Sequence, residues 1–168
     1  MVYQRIMNRI TADYLYRFCC CYIDDVISYS RSFSDHLIHL RLILTRFSDA
    51  GLRLRVDKCL WAQHKLPYLG FVLSAEGVQP DPNKLTIIKD AKRPKNVKML
   101  KSFLGLTSFY RRFIRKYVVI TAPFRALLRK GAKFVWTDEH EQAFNHLKRV
   151  MTTEPITLKY PDWNKEFS

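Results

Sequence analysis

Apolar residues recur with two different periods along this chain, and the changes of period mark out its elements. Near the start, Ile6, Ile10 and Tyr14 return at every fourth position beside Arg5, Arg9 and Arg17, which predicts an amphipathic helix over residues 2–16. Residues 18–22 and 26–29 are instead dense in aromatic, cysteine and β-branched side chains, the composition of two strands, so a β-hairpin is expected around Ile23-Asp24-Asp25. Helical spacing returns with Leu37, Leu40, Leu44 and Phe47. Ser34 is expected to cap that helix and Gly51 to end it, where left-handed backbone is needed. The helix would cover one face of the hairpin, since a lone two-stranded ribbon is marginal in water.

A short strand over residues 52–56 and a turn at Asp57 are predicted next. A second hairpin follows, with residues 66–74 and Val78-Gln79 flanking Ala75-Glu76-Gly77 and Gly77 free to take positive φ. From Asp81 onward the pattern is helical. Asp81 reads as a cap with Pro82 in the first turn, and Asn96 as the cap of a helix over residues 97–109, after a break at Pro94. Pro123 marks a short helix running to Leu128. Thr137 reads as the cap of a last helix with Ala143, Phe144, Leu147 and Met151 on one face and Asp138 and Glu139 at its positive end. The fold class expected is α+β, antiparallel hairpins packed on helices and then a helical region. The first helix begins with nothing ahead to cap it, so the chain is expected to start inside a packing unit.

Composition sharpens this picture. At 168 residues and 48% hydrophobic the chain can bury a core. Its net charge of +14 calls for a polyanionic partner, nucleic acid ahead of a membrane surface. The excess is local: residues 81–130 carry 14 basic and 2 acidic side chains, whereas residues 1–80 carry 10 and 7. No run approaches the 18 or so apolar residues of a membrane span, and the first residues lack a secretory core, so an intracellular protein without a membrane partner is expected. Cys19, Cys20, Cys21 and Cys59 have neither zinc-site nor disulfide-framework spacing and read as small hydrophobes. His36 and His39, one helical turn apart, read as exposed helix residues and not as a metal pair. A basic amphipathic membrane helix over residues 84–101 is excluded by Pro94.

The chemistry concentrates at Asp24 and Asp25. Nucleotidyl transfer uses two Mg²⁺ ions about 4 Å apart, held by carboxylate oxygens. Adjacent aspartates at a hairpin turn would project such ligands beyond the sheet edge on a rigid base. Aspartates are also ordinary turn residues, so Tyr22-Ile23-Asp24-Asp25 alone leaves both readings open.

The surrounding motifs run in a recognisable order. Tyr3-Gln4-Arg5-Ile6-Met7, residues 18–30 with both aspartates, Gly51-Leu52-Arg53-Leu54 through Asp57-Lys58-Cys59, Tyr68-Leu69-Gly70-Phe71-Val72-Leu73-Ser74 and residues 100–114 together resemble the reverse transcriptases of gypsy-type long-terminal-repeat retrotransposon Pol polyproteins. The resemblance implies a partial polymerase palm over residues 1–80, a basic helical thumb over 81–130 and a connection toward a ribonuclease H-like domain over 131–168. It implies RNA- or DNA-templated DNA synthesis with Asp24 and Asp25 as Mg²⁺ ligands, Lys58 as a phosphate contact or general acid, and Tyr22 near the primer end. Tyr68, Leu69 and Gly70 would lie in a primer grip. Lys98, Lys101, Arg111, Arg112, Arg115 and Lys116 would meet duplex phosphates, and Gly105, Thr107 and Ser108 the wide, shallow minor groove of an A-like hybrid. Phe103, Phe109, Tyr110 and Phe113 at this spacing read as core.

Partners implied are an RNA/DNA hybrid or DNA duplex and, in the intact enzyme, a deoxynucleotide. The family's first palm aspartate and its nucleotide-binding fingers lie upstream of the residues matched here, and Asp13 belongs to the charge pattern of its helix. The chain alone is therefore expected to lack polymerase activity. The alternative is a nucleic-acid-binding or inert remnant of a retroelement without catalysis.

Overall fold

The computed structural model describes residues 2–153 and 157–160. They form a mixture of helices and small antiparallel sheets, the α+β class, in two compact units, Met1–Tyr68 and Leu69–Ser168.

In the first unit, helix α1 (Val2–Ile10) leads to strands β1 (Cys19–Tyr22) and β2 (Asp25–Ser28), followed by helix α2 (Phe33–Asp49), a single 3-10 turn at Val56–Lys58 and strand β3 (Lys65–Tyr68). Helix α1 is shorter than its apolar period predicts. It stops at Ile10, and the side chain of Thr11, fully buried, donates back to the carbonyl of Met7 at 2.9 Å. Such back-bonding competes with helix continuation, and by Tyr16 the backbone has turned to φ 63. The core comprises Met7, Cys19, Ile43 and Phe47, with Ile10, Tyr14 and Phe18 packed against it. Ile6, expected inside, is exposed.

Helix α2 begins two residues earlier than expected. Ser32, not Ser34, is the cap, and its hydroxyl accepts from the amide of Asp35 at 3.1 Å. The buried face is correspondingly rotated to Ile43 and Phe47, leaving Leu37 and Leu44 exposed. That rotation turns His36 and His39 inward. Both are half-buried, with Ser30 Oγ 2.7 Å from His39 Nδ1 and 3.4 Å from His36 Nδ1, and the His39 ring stacks on Phe18 at 3.9 Å. The strand expected over residues 52–56 is absent; no ladder forms there, and residues 52–55 are irregular chain leading into the 3-10 turn.

In the second unit, strands β4 (Phe71–Ser74) and β5 (Gly77–Pro80) pair antiparallel, from Phe71 opposite Pro80 to Ser74 opposite Gly77. Helices α3 (Pro82–Lys89) and α4 (Val97–Phe109) start at Asp81 and Asn96, whose side chains accept from the amides of Asn83 and Met99, both at 2.9 Å. Short helices α5 (Tyr117–Ile120) and α6 (Phe124–Leu127) follow, then α7 (Asp138–Thr153). Helix α7 opens with one half of a capping box: the amide of Thr137 donates to His140 Nδ1 at 3.1 Å, and the Thr137 hydroxyl lies 2.7 Å from the same nitrogen. A histidine here occupies the place usually taken by glutamate or glutamine in a capping box. The core runs through Ile88, Leu100, Phe103, Tyr110, Phe124, Phe144 and Leu147. Most of the stretch expected to form the connection beyond Pro155 lies outside the described residues.

Gly77 (φ 135) sits where the carbonyl of Leu158 crosses the hairpin, and a Cβ at Gly77 would collide with that carbonyl oxygen. Leu158 and Val78 exchange both backbone hydrogen bonds at 2.9 Å. Gly77→Ala is expected to destabilise this unit by about 2 kcal/mol or more, measured as a shift in the urea midpoint, because the new methyl meets backbone and the φ is unfavourable.

Candidate catalytic hairpin and nucleic-acid interface

The β1–β2 hairpin reverses in two residues. Cys19 pairs with Ser28 and Tyr22 with Asp25, leaving Ile23 and Asp24 as the loop. A loop this short needs left-handed backbone, and Ile23 takes it with φ 53. For a β-branched residue this is a strained conformation, costing roughly 1–3 kcal/mol.

Gln4 of α1 holds the strained turn. Its Oε1 accepts from the amide of Ile23 at 2.5 Å, and its Nε2 donates to the carbonyl of Cys21 at 3.1 Å and to Asn8 Oδ1 at 2.7 Å. One side chain thus bridges the last residues of β1 and the first loop position. At the other end of the strand, Cys19 is fully buried and its thiol is pushed up to about 11, by burial first and then by the neighbouring cysteines.

Tyr22, Asp24 and Asp25 are all exposed at the tip. Two phenols lie beside the carboxylates. The Tyr3 hydroxyl is raised above its ordinary pKa by burial first and then by the charge of Asp24. Burial, then Cys20 and Cys21, then the charge of Asp25 push Tyr68 up to about 12. The oxygen donors of Asp24 and Asp25 suit a hard cation such as Mg²⁺. However, no group of three His, Cys, Asp or Glu side chains able to hold a metal occurs among the described residues. Asp24 and Asp25 are the two carboxylates at this tip. Asp13 lies beyond the end of α1 and is committed elsewhere, to an ion pair with Arg46 at 2.6 Å. Lys58 is exposed at the end of its 3-10 turn, next to Asp57, which pairs with Arg55 at 2.8 Å.

In the second unit the turn at Leu69 and Gly70 carries positive φ at both residues, 50 and 81. Gly70 suits this backbone and leaves room for its neighbour: a Cβ there would crowd the ring of Phe109 at 3.3 Å. The Gly70 carbonyl accepts from the Tyr110 hydroxyl at 2.8 Å and the amide of Asp81 at 3.2 Å. Phe71 stacks on Phe109 at 5.0 Å. Phe103, Tyr110 and Phe113 are buried, as their spacing predicts, whereas Phe109 is 52% exposed.

Helix α4 is two-faced. Leu100, Phe103 and Thr107 are buried, and the opposite stripe runs at helical spacing through exposed Lys98, Lys101 and Gly105 to half-buried Ser108. Arg111, Arg112, Arg115 and Lys116 extend the exposed positive charge beyond its end. Thr107 departs from expectation. It is fully buried, with its hydroxyl 3.0 Å from that of Tyr117 and donating to the Leu104 carbonyl at 3.3 Å, so it braces the core and cannot reach a groove.

Sequence reasoning quoted Gln4 and Tyr3 only as motif letters and gave neither a role. Gln4 acts on residues up to 19 positions away, and local pattern carries no signal of that.

The family model described as "Reverse transcriptase (RNA-dependent DNA polymerase)" matches residues 1–73. The chain is 36% identical over 166 residues to the retrovirus-related Pol polyprotein from transposon 297 of Drosophila melanogaster, covering 98% of this chain and 16% of the relative. It is 31% identical to the Pol polyprotein from transposon gypsy of the same organism, covering 99% and 17%. The transposon Tf2-3 polyprotein of Schizosaccharomyces pombe is 30% identical, with 98% and 12% covered. The chain therefore spans less than a fifth of these relatives. In fold it is similar to the foamy viral protease-reverse transcriptase, solved in complex with dsDNA (TM-score 0.86, 21% identity, 96% of this chain and 34% of that one). The same viral protein in complex with RNA/DNA hybrid gives a TM-score of 0.81 at 22% identity, with 92% and 21% covered.

Gln4→Ala is expected to lower the stability of the first unit by about 1 kcal/mol, since two backbone groups of the hairpin lose their partner. Amide hydrogen exchange at Ile23 should quicken with it. Unchanged exchange at Ile23 would show that the turn holds itself.

Proposed function

Residues 1–73 belong to the reverse transcriptase family, and the chain along its length is homologous to retrotransposon Pol polyproteins; from this premise we propose that it carries the catalytic hairpin and the duplex-gripping helix of such an enzyme, and that alone it binds nucleic acid without synthesising it. The observation that carries this reading is the presentation of Asp24 and Asp25 on a braced two-residue turn inside the family match.

In the intact enzyme Asp24 and Asp25 would hold Mg²⁺ together with a further carboxylate, and the bound ions supply activation of the primer hydroxyl and neutralisation of the leaving group. What this chain's own residues do is position. Gln4 keeps the turn from relaxing, so the carboxylates stay where in-line attack needs them. Tyr22, exposed beside them, would border the primer end, and Lys58 would approach the phosphates of an incoming deoxynucleotide. The Tyr68, Leu69 and Gly70 segment would position the primer's terminal nucleotide, its turn fixed by Tyr110. In domain terms the reading is palm over residues 1–80, thumb over 81–130 and connection toward a ribonuclease H-like domain over 131–168.

The binding half rests on charge. Lys98, Lys101, Arg111, Arg112, Arg115 and Lys116 are exposed and lie in the segment with 14 basic against 2 acidic residues. A template–primer duplex, RNA/DNA hybrid or DNA, would be gripped through its backbone, with Gly105 and Ser108 allowing close approach to the minor groove. Among the described residues no helix is long and apolar enough to cross a membrane. The inactivity half rests on the incomplete ligand set around Asp24 and Asp25.

Primer extension on a primed RNA template with Mg²⁺, run beside binding of the same duplex at several salt concentrations, tests both halves. The expected result is no extension, together with binding whose logarithm falls against log salt with a slope of roughly −5 if all six cations meet phosphates. Asp24→Asn should leave that binding unchanged. Extension abolished by Asp24→Asn would overturn the claim of inactivity, and absent or salt-independent binding would overturn the grip.

A further inference from the structure

His36 and His39 stand one turn apart on α2, and the rotation of that helix aims both rings at a single atom. Ser30, two residues past β2, has its Oγ 2.7 Å from His39 Nδ1 and 3.4 Å from His36 Nδ1. All three residues are half-buried. The His39 ring lies flat on Phe18, with centroids 3.9 Å apart and planes within 6°, so packing holds its orientation. Phe18 in turn leads into β1, and its carbonyl accepts from the amide of Tyr29 at 2.9 Å. The cluster therefore closes the base of the hairpin whose tip carries Asp24 and Asp25.

One hydroxyl, with one proton, cannot serve two imidazole nitrogens alike. The contact to His39 is a good hydrogen bond, whereas the 3.4 Å contact to His36 is near the limit of one. The spacing suits another arrangement. Around a tetrahedral ion with bonds of about 2.0–2.1 Å, neighbouring donor atoms stand about 3.3 Å apart. Ser30 Oγ and His36 Nδ1 already have that separation, and the His39 contact would need to lengthen by only about 0.6 Å to reach it. Imidazole nitrogen suits borderline ions such as Zn²⁺, unlike Mg²⁺, which takes oxygen. Asp35, one helical turn before His39, adds a negative charge that favours a cation, while its Oδ2 accepts from the Ser32 hydroxyl at 2.6 Å. Among the described residues no third His, Cys, Asp or Glu side chain joins the pair. The remaining positions fall to the Ser30 hydroxyl and water, the open coordination of a site that exchanges its ligands.

We propose that His36 and His39 bind a divalent transition ion of the Zn²⁺ class through their Nδ1 atoms, with Ser30 beside it. The site differs from the Asp24 and Asp25 tip in donor chemistry, and it stands whether or not the chain binds nucleic acid. An ion held there ties the segment leaving β2 to α2, and because it binds only the folded arrangement it stabilises the first unit.

The test is a Co²⁺ titration of the full chain followed by visible absorption, beside long-range proton–nitrogen NMR of the imidazoles as Zn²⁺ is added. The expected result is a ligand-field band that Zn²⁺ displaces, without the thiolate charge-transfer band that coordination by the cysteines would give. In the NMR spectra Zn²⁺ should move Nδ1 of His36 and His39 and leave exposed His64 in place. His36→Gln and His39→Gln should each weaken binding at least about tenfold, since loss of even an outer-shell partner costs that much, and His64→Gln should bind as wild type does. Zn²⁺ should raise the melting temperature of wild type and not that of His36→Gln. The NMR arm reads the site in the wild-type chain, so a variant that fails to fold does not decide the matter. A thiolate band, Zn²⁺ shifts confined to other histidines, undiminished affinity in folded His36→Gln, or no binding at millimolar Zn²⁺ would overturn the site.

Discussion

Two adjacent carboxylates reach past a sheet edge only when the chain reverses within two residues, and that reversal drives Ile23 into left-handed backbone at φ 53. The strain, roughly 1–3 kcal/mol, needs an anchor or the turn will open into a longer loop. Gln4 is that anchor, and it works because α1 is itself pinned by Met7 in the core with Cys19, Ile43 and Phe47. The buried cluster fixes the helix, the helix fixes Gln4, and Gln4 fixes the tip where Asp24 and Asp25 stand. Loosening any link would leave both aspartates present and their placement lost.

The second unit uses the same logic with different atoms. Its turn at Leu69 and Gly70 also has positive φ, and here a phenol replaces the amide: Tyr110, 1% exposed, donates to the Gly70 carbonyl while Phe109 covers the glycine. Both aromatics close the C-terminal end of α4. One helix therefore braces a hairpin turn at its end, buries Leu100, Phe103 and Thr107 on one side and presents Lys98 and Lys101 on the other. Those cations lie in a segment whose charges repel one another with few carboxylates to relieve them. The arrangement lowers the stability of the free protein and favours a polyanion that would neutralise it.

What could be read from the sequence was what depends on near neighbours. Asp81 and Asn96 cap their helices through contacts two and three residues away, and the positions were legible for that reason. The end of α1 was not, because a period of four runs on through Tyr14 while the helix ends at Ile10 and the chain turns to φ 63 at Tyr16. Ser34 was a plausible cap and Ser32 the real one, and the two-residue shift accompanied a different buried face from the one Leu37 and Leu44 suggested. At the candidate site the hairpin that carries Asp24 and Asp25 was legible from strand composition and turn position. Gln4 was not, since its partners lie 17 and 19 residues on. Thr107 was expected at a groove because the resemblance groups it with Gly105 and Ser108. One step around the helix places it wholly inside.

The two proposed activities make unequal demands on these residues. A grip on phosphates tolerates a guanidinium displaced by an ångström or two, since the ion atmosphere and long side chains absorb the error and each cation adds its share to the salt dependence. Catalysis tolerates little: a displacement of about 1 Å in a reacting group can cost two orders of magnitude in rate. The proposed binding surface is spread over exposed side chains on α4 and beyond, so its affinity would be shared among many cations. The proposed catalytic tip rests on one strained residue and one amide clamp. In an enzyme built on this hairpin, a change that loosens the fold would therefore remove the precision needed for synthesis before it removed affinity for the duplex.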